Sequence, residues 1–223
     1  MKVTFLIAAA FFFSLLLAFA VTASGGARAS PQNTHPGEFT EDIDWTNVDT
    51  SILDVAYINP RLNFRHYKKI YIKQPEIHFH PNWVAKFGES KSSAYRQEVA
   101  RRYASLLEEA IAETFSRDTH LSISDQRGDD ILVIIPKVIE LYIAVPDSVV
   151  NQDVIITTPA GSAKIDLVIY SPRDQSVLGL FMDTRSTSTP RPVEASKPRM
   201  INTRAFNRLF KEWSEDLVAV LEK

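Results

Sequence analysis

The sequence predicts an α+β fold, a two-layer sandwich in which two amphipathic helices cover one face of a four- to five-stranded, mostly antiparallel sheet. Three observations predict it. Residues 130–145, DILVIIPKVIELYIAV, form a long apolar run typical of a central strand. Apolar residues recur every three or four positions in residues 93–115 and 203–221, and they alternate with polar residues in 163–183. The predicted order is strand, helix, strand, long strand, hairpin, helix.

The N-terminal 29 residues have the features of an export signal. A single early lysine, Lys2, precedes an uncharged apolar run over residues 5–21, and small residues follow at several cleavage positions. We expect cleavage after Ala23 or Ala29, which would leave a periplasmic or secreted bacterial protein. The alternative is an uncleaved anchor, because 17 apolar residues are at the lower limit of what spans a bilayer.

Composition bounds the function of the mature chain. Lys and Arg number 25 and Asp and Glu 27, and removing residues 1–29 takes away two basic residues and no acidic one, so the formal charge of the remaining chain is −4. This balance argues against nucleic-acid binding. Because the chain has no cysteine, disulfides, thiolate chemistry and cysteine lipidation are all excluded. Residues 30–51 are acidic and contain Pro and Gly, which predicts a flexible arm before a single domain over 52–223.

The first half of the domain contains one strand, one helix and a second short strand. KKIYIKQPEIHFH, residues 68–80, predicts the first strand, with Pro75 at an edge position or a bulge. Residues 80–90, HPNWVAKFGES, predict a connecting loop. The helix over 93–115 has Ser92 or Ser93 as its N-cap, and replacing Leu106 or Leu107 on its apolar stripe by Ala is expected to cost about 2–5 kcal/mol. Residues 121–124 form the second strand, and the first strand, the helix and this strand can form one right-handed crossover.

The second half contains the central strand, a hairpin and the last helix. The odd positions of residues 130–145 are nearly all apolar and are predicted to face the helices: Ile131, Val133, Ile135, Ile139, Leu141, Ile143 and Val145. A short strand is predicted at 154–156. Residues 163–170 and 178–183 form the hairpin. Residues 185–201, with three prolines, are predicted to be a surface loop, and the last helix over 203–221 is capped by Asn202 or Thr203.

Four segments together resemble a known bacterial family. They are Tyr57-Ile58-Asn59-Pro60, the strand around Ile70-Tyr71-Ile72, the strand 132–141 with its internal Pro136, and the ending INTRAFNRLFKEWSEDLVAVLE. They resemble domain-of-unknown-function family 3313, exported and often lipoprotein-like proteins. The resemblance covers residues 52–221 and implies the same element order. It implies no catalytic residue, and this chain lacks the cysteine of the lipidated members.

Two local patterns are candidate sites, and a third that resembles a motif is not. His78 and His80 lie two apart, after Glu76, so two imidazoles and a carboxylate on one strand face could bind a metal ion; the alternative is a polar strand end that faces water. A basic tract could bind anionic lipid headgroups or an acidic partner, the alternative being a solvated loop; it comprises Arg185, Arg191, Lys197, Arg199, Arg204, Arg208 and Lys211. Arg127-Gly128-Asp129 is interpreted as a turn and not as an adhesion motif.

No signature of catalysis is present. The chain has no Gly-x-Ser-x-Gly elbow, phosphate-binding glycine loop or cysteine, so no catalytic, cofactor-binding or metal-binding residue is assigned.

The leading hypothesis is a non-enzymatic exported envelope protein, a binding or accessory module. Its partner would be a protein of the envelope, with weak contact to an anionic membrane surface, through the acidic arm, an exposed sheet edge and the basic loop. The alternatives are a metal-dependent periplasmic enzyme using His78 and His80, and a carrier of a small apolar ligand between sheet and helices. The oligomeric state is left open.

Overall fold

A mixed eight-stranded sheet organises the fold. The computed structural model describes residues 46–47, 52–60, 62–88, 92–144, 154–156, 159–188, 193–195 and 198–222, so the predicted signal and most of the predicted arm lie outside the described residues. The strands are β1 (Thr46–Asn47), β2 (Val55–Ile58), β3 (Lys69–Ile72), β4 (Glu76–Phe79), β5 (Ser122–Ser124), β6 (Ile131–Ile143), β7 (Val154–Ile156), β8 (Gly161–Ser171), β9 (Ser176–Ser186) and β10 (Val193–Ala195).

The strands lie in the order β1-β2-β9-β8-β6-β3-β5, and β4 pairs with β6 on the same side as β3. Pairing is antiparallel from β1 to β6, whereas β3 and β4 run parallel to β6 and β5 runs parallel to β3. Strands β7 and β10 form a separate antiparallel pair. The α+β class is confirmed. The predicted count of four to five strands is wrong, and the sheet is mixed.

The extra strands come from short segments and from one interruption. Pro75 has no backbone N–H to donate to a neighbouring strand, so the predicted first strand is divided into β3 and β4. The two strands pair with β6 one after the other along its length. β1 has two residues and β10 has three, and β10 falls inside the predicted proline-rich loop. Strands this short leave no alternation to detect.

Two long helices, α2 (Ser93–Asp118) and α3 (Pro198–Leu221), lie side by side on one face of the sheet. The rings of Tyr103 and Phe206 meet edge to face between them, with centroids 5.0 Å apart. Ser92 is the N-cap of α2, since its Oγ accepts a hydrogen bond from the amide of Tyr95. The cap predicted for the last helix is wrong, because α3 begins at Pro198, and Asn202 is buried within it.

The predicted loop after the first strand is helical instead. α1 (Pro81–Trp83) continues into a π-helical turn over Val84–Gly88. His80 is the N-cap of α1, and Pro81 has the backbone angle that a first helical turn requires. Buried Trp83 stacks on Phe79 with 4.4 Å between ring centroids, so burial of an aromatic side chain holds this turn on the core. No helix among the described residues has the length and apolarity needed to cross a bilayer.

A bulge in β6 decides which of its residues face the helices. Its pairing with β8 shifts by one residue between Val138 and Tyr142, so the buried face changes from even to odd positions. Leu132, Ile134 and Val138 before the bulge, and Leu141 and Ile143 after it, belong to the core under α2 and α3. The predicted odd face is therefore wrong in the first half of the strand. Val133 and Ile135 face away from the helices.

The predicted hairpin is confirmed as β8 and β9, joined by a turn over 172–175. Ile165 and Leu167 of β8 belong to the core under the helices. Their cross-strand partners in β9 are Asp183 and Phe181, so Asp183 also points toward the helix layer. Leu180 pairs with Val168 and lies on the opposite face.

Candidate functional site

The face of the sheet opposite α2 and α3, here called the open face, carries a second and smaller apolar cluster. Val168, Val177 and Leu180 form it, with Tyr57 and Ile135 packed against them. No residue of α2 or α3 belongs to this cluster. The open face therefore combines apolar side chains with polar residues that the helices do not cover.

A half-open groove of about 540 Å³ lies on the open face and is the candidate functional site. Val133 and Ile135 of β6 form its floor, and Lys73 and Arg127 line the side next to β3. The other side comes from the β8–β9 hairpin: Tyr170, Pro172, Gln175 and Val177. No Asp or Glu of the described chain lines the groove, so its charged lining is entirely positive. A volume of this size is within the range of small-ligand sites.

Strand register explains why these residues meet. Tyr71, Val133, Tyr170 and Val177 are successive cross-strand neighbours on β3, β6, β8 and β9. They form one row across the open face. Lys73 lies two residues beyond Tyr71, and therefore on the same face, beside the row that contains Ile135.

Arg127 is held against an aromatic ring. Its guanidinium carbon lies 5.3 Å from the ring centroid of Tyr71, a cation–π arrangement. A ring contact of this kind orients the side chain without neutralising its charge. The guanidinium edge matches the geometry of a carboxylate or a phosphate. Lys73 is partly compensated, with its Nζ 3.8 Å from Oε1 of Glu76.

Gln175 has an unusual backbone conformation at the rim of the groove. Its φ is 49°, which makes it the one non-glycine residue with positive φ in the part of the chain that the structure describes. Glycine or asparagine adopts this region at lower cost. Strain of this kind is often found at functional sites. Here it places an amide side chain, a donor and an acceptor, against the groove.

Glu76 lies beside two lysines and a histidine next to the groove. Its carboxylate lies 3.5 Å from Nζ of Lys137 and 3.7 Å from Nε2 of His78, in addition to the contact with Lys73. Burial acts to raise the pKa of Glu76, but the charges of Lys137 and Lys73, together with hydrogen bonds from Lys137 and His78, outweigh it, so the pKa lies below its ordinary value. The neighbouring lysines therefore favour the ionised form of Glu76. Glu76 in turn partly neutralises the charge of Lys73.

The predicted metal ligands are used otherwise. His78 is more than half exposed beside Glu76, whereas Nδ1 of His80 accepts a 3.0 Å hydrogen bond from the amide of Asn82 as the cap of α1. Among the residues with described positions, no group of three or more His, Cys, Asp or Glu could hold a metal ion. The metal-dependent enzyme stays a prediction that metal analysis of purified protein tests.

The predicted basic tract is divided among different contacts. Arg185 pairs with Asp183 and Asp216, and Lys211 of α3 pairs with Glu113 of α2 at 2.9 Å. Arg199 and Arg204 are exposed on α3, Arg208 donates a hydrogen bond to Ser188, and Arg191 and Lys197 lie outside the described residues. Since Arg185 and Lys211 already have acidic partners, the described part of the tract is less positive than its sequence indicates.

The hypothesis of an apolar-ligand carrier concerns the layer between the sheet and the helices. It requires a cavity between sheet and helices, and large buried side chains including Phe115, Phe206 and Phe210 occupy that layer. The groove lies on the other face. No continuous pattern in the sequence indicates the groove, although Tyr71 and Lys73 alternate with the buried Ile70 and Ile72 and so share a face. The residues around Arg127 indicate only a turn, and no pattern predicts the positive φ of Gln175.

Comparisons with known proteins leave the family open. No family model and no curated protein matches the chain, so the resemblance to family 3313 stays a prediction. A PelC dodecamer structure from Paraburkholderia phytofirmans has 9% identity and a TM-score of 0.39, covering 71% of this chain and 94% of that one. A Xanthomonas campestris protein of family-model DUF330 has 13% identity and a TM-score of 0.38, covering 72% and 86%. Similarities this low carry no argument about fold, assembly or function.

Proposed function

We propose that this protein is a non-enzymatic binding module of the bacterial envelope, and that the groove on the open face binds an anionic group of another macromolecule. The observation that carries the proposal is the lining of the groove. Two cations, Lys73 and Arg127, face an apolar floor without any acidic lining residue among the described positions. A ligand that complements this surface has a negative charge next to an apolar group.

Three further observations support binding at this groove. Arg127 is pre-oriented on Tyr71, which lowers the entropy lost when its guanidinium pairs with an anion. Gln175 keeps a strained backbone at the rim. Apolar side chains on the open face lie beside these polar groups, a combination typical of interaction surfaces.

Site-specific crosslinking in the native host tests the proposal. A photo-crosslinking phenylalanine derivative at Arg173, an exposed residue of the hairpin turn, would trap the ligand. The same derivative at Ser105, exposed on α2, is the matched control. We expect a product at Arg173 that is absent at Ser105, and mass spectrometry of that product should identify an anionic molecule.

The charge dependence decides whether the groove is responsible. Lys73→Gln combined with Arg127→Gln should remove the product, whereas Arg101→Gln with Arg204→Gln, two exposed arginines of the helix layer, should leave it. A product that survives the loss of both groove cations, or no product at all, would overturn the proposal.

Export is tested separately. We expect the mature protein in the periplasmic or secreted fraction, with Ser24 or Ser30 as its first residue. Full-length protein in the cytoplasm would contradict the envelope location. An intact N-terminus in the membrane fraction would instead support the uncleaved anchor.

A further inference from the structure

The spacing of the residues that line the groove indicates the kind of ligand. Val133 and Ile135, which both line the groove, are two residues apart on β6. Residues i and i+2 of an extended chain lie about 6.6 Å apart. The floor of the groove therefore repeats at the spacing of alternate side chains in an extended polypeptide.

Charge is distributed unevenly across the groove. Both cations lie on the side of β3, and the side formed by the hairpin is uncharged, with Tyr170 and Gln175 as its polar residues. Gln175 carries an amide, which can donate to a peptide carbonyl and accept from a peptide N–H. An acyl chain would use neither group, and the groove, being half open, would leave much of its surface in water.

We infer that the open-face groove binds an extended acidic segment of a partner protein, in which acidic and apolar side chains alternate. This inference rests on the proposed function. Apolar side chains of the segment contact Ile135, the more exposed residue of the floor. Its acidic side chains pair with Lys73 and Arg127, and its backbone meets Gln175. The floor gives affinity, and the cations on one side fix the direction of the bound chain.

Fluorescence anisotropy with labelled peptides tests this inference on the mature protein. The probe is a decapeptide in which Glu and Val alternate. Its controls are a peptide with the same residues in two blocks, a peptide with Lys in place of Glu, and vesicles of phosphatidylglycerol and phosphatidylcholine. We expect binding of the alternating peptide, weaker binding of the block peptide and none of the lysine peptide. Added salt should weaken the interaction.

Variants connect the binding to the groove. Lys73→Gln with Arg127→Gln should weaken binding of the alternating peptide by about tenfold, and Arg101→Gln with Arg204→Gln should leave it unchanged. Circular dichroism and thermal unfolding confirm that both double variants are folded, so a loss in the first alone is assigned to the groove.

Three results would overturn the inference. Equal binding of the alternating and block peptides would show attraction by charge alone. Binding of vesicles but of no peptide would identify a lipid surface as the ligand. Unchanged affinity in the variant that lacks both groove cations would place the peptide elsewhere on the protein. Failure here is distinguishable from failure of the proposed function. A charge-dependent crosslink to a ligand other than protein would leave that function in place and remove only the peptide.

Discussion

Trp213 Nε1 of α3 donates a 2.6 Å hydrogen bond to Oδ2 of Asp183 on β9, and both side chains are buried. The same oxygen lies 2.5 Å from Nε of Arg185, whose Nη2 lies 2.7 Å from Asp216. Arg185 also donates to the carbonyl of Ile52. These contacts join α3, β9 and the segment before β2, so a buried carboxylate fixes the position of the last helix.

Asp183→Ala tests the importance of this carboxylate. The change leaves the indole N–H of Trp213 and the partly buried charge of Arg185 with fewer partners, so we expect a loss of about 3 kcal/mol in the free energy of unfolding. Chemical denaturation measures it. The control is Glu215→Ala, which removes an exposed ion pair with Arg117 and should cost less than about 1 kcal/mol. Similar losses in the two variants would mean that burial gives Asp183 no special importance.

Local patterns predicted the elements of the core better than their orientation. The stripes of α2 and α3 and the alternation of β8 were visible because helices and half-buried strands repeat their apolar residues over many positions. The face of β6 was not predictable, since nearly every residue is apolar there and a bulge between Val138 and Tyr142 exchanges the faces. A bulge is fixed by pairing with β8 and β4, which sequence alone does not reveal.

Two neighbouring leucines of α2 allow a sharper test of helix orientation. Leu107 is completely buried, whereas Leu106 is partly exposed at the edge of the core. Leu107→Ala should therefore cost about 3 kcal/mol and Leu106→Ala about half of that, because the cost grows with the cavity left behind. Thermal and chemical denaturation of the pair would check the ranking. The reverse order would show that α2 is rotated about its axis.

Gly161 is expected to tolerate no side chain. A Cβ atom at this position would overlap the carbonyl oxygen of Tyr142 on β6 and the ring of Phe206 on α3. Gly161→Ala should destabilise the protein by about 3 kcal/mol, since the backbone would have to move. At Gly128 the nearest atom to an added Cβ is the flexible side chain of Ile131, 3.3 Å away, so Gly128→Ala should stay within about 1 kcal/mol of the parent. Denaturant midpoints compare them. A stable Gly161→Ala protein would contradict this packing.

Stability should depend on pH through Glu76. Burial acts to raise the pKa of this carboxyl, and the charges and hydrogen bonds of its neighbours Lys137, Lys73 and His78 together outweigh burial, so its pKa in the folded protein is below the ordinary value of 4.5. The folded state thus binds this proton more weakly than the unfolded chain. The stabilisation is present above the unfolded-state value and is lost as the pH falls through the folded-state value.

Glu76→Gln removes that dependence and Lys137→Gln reduces it. The free energy of unfolding, measured between about pH 6 and about pH 3, should fall less steeply in both variants than in the parent protein. Titration of the Glu76 carboxyl by NMR gives an independent reading. Identical slopes in all three proteins would show that the cations around Glu76 do not act on its ionisation.

The candidate site was less predictable than the core because its residues are distant in sequence. Lys73, Arg127 and Gln175 come from three segments, and only the order β3-β6-β8-β9 brings them to one groove. Nothing in the residues around Arg127 indicates that its guanidinium meets Tyr71. The two histidines near Glu76, by contrast, formed a visible pattern, but His80 serves as a helix cap. Proximity in sequence was thus a poor guide to the site.

Gln175 links the strain of the hairpin turn to the proposed binding. Because glycine adopts positive φ without steric cost, Gln175→Gly should stabilise the protein by about 0.5 kcal/mol despite the entropy that glycine gains in the unfolded chain. Arg173→Gly in the same turn, at a residue without positive φ, should instead destabilise it by a similar amount. The glycine at 175 also removes the amide at the rim, so affinity for the alternating peptide should fall while stability rises. Lower stability of Gln175→Gly would refute the strain. Unchanged affinity for the alternating peptide would show that the Gln175 amide makes no contact with it. The positive φ of Gln175 would then not be explained by peptide binding.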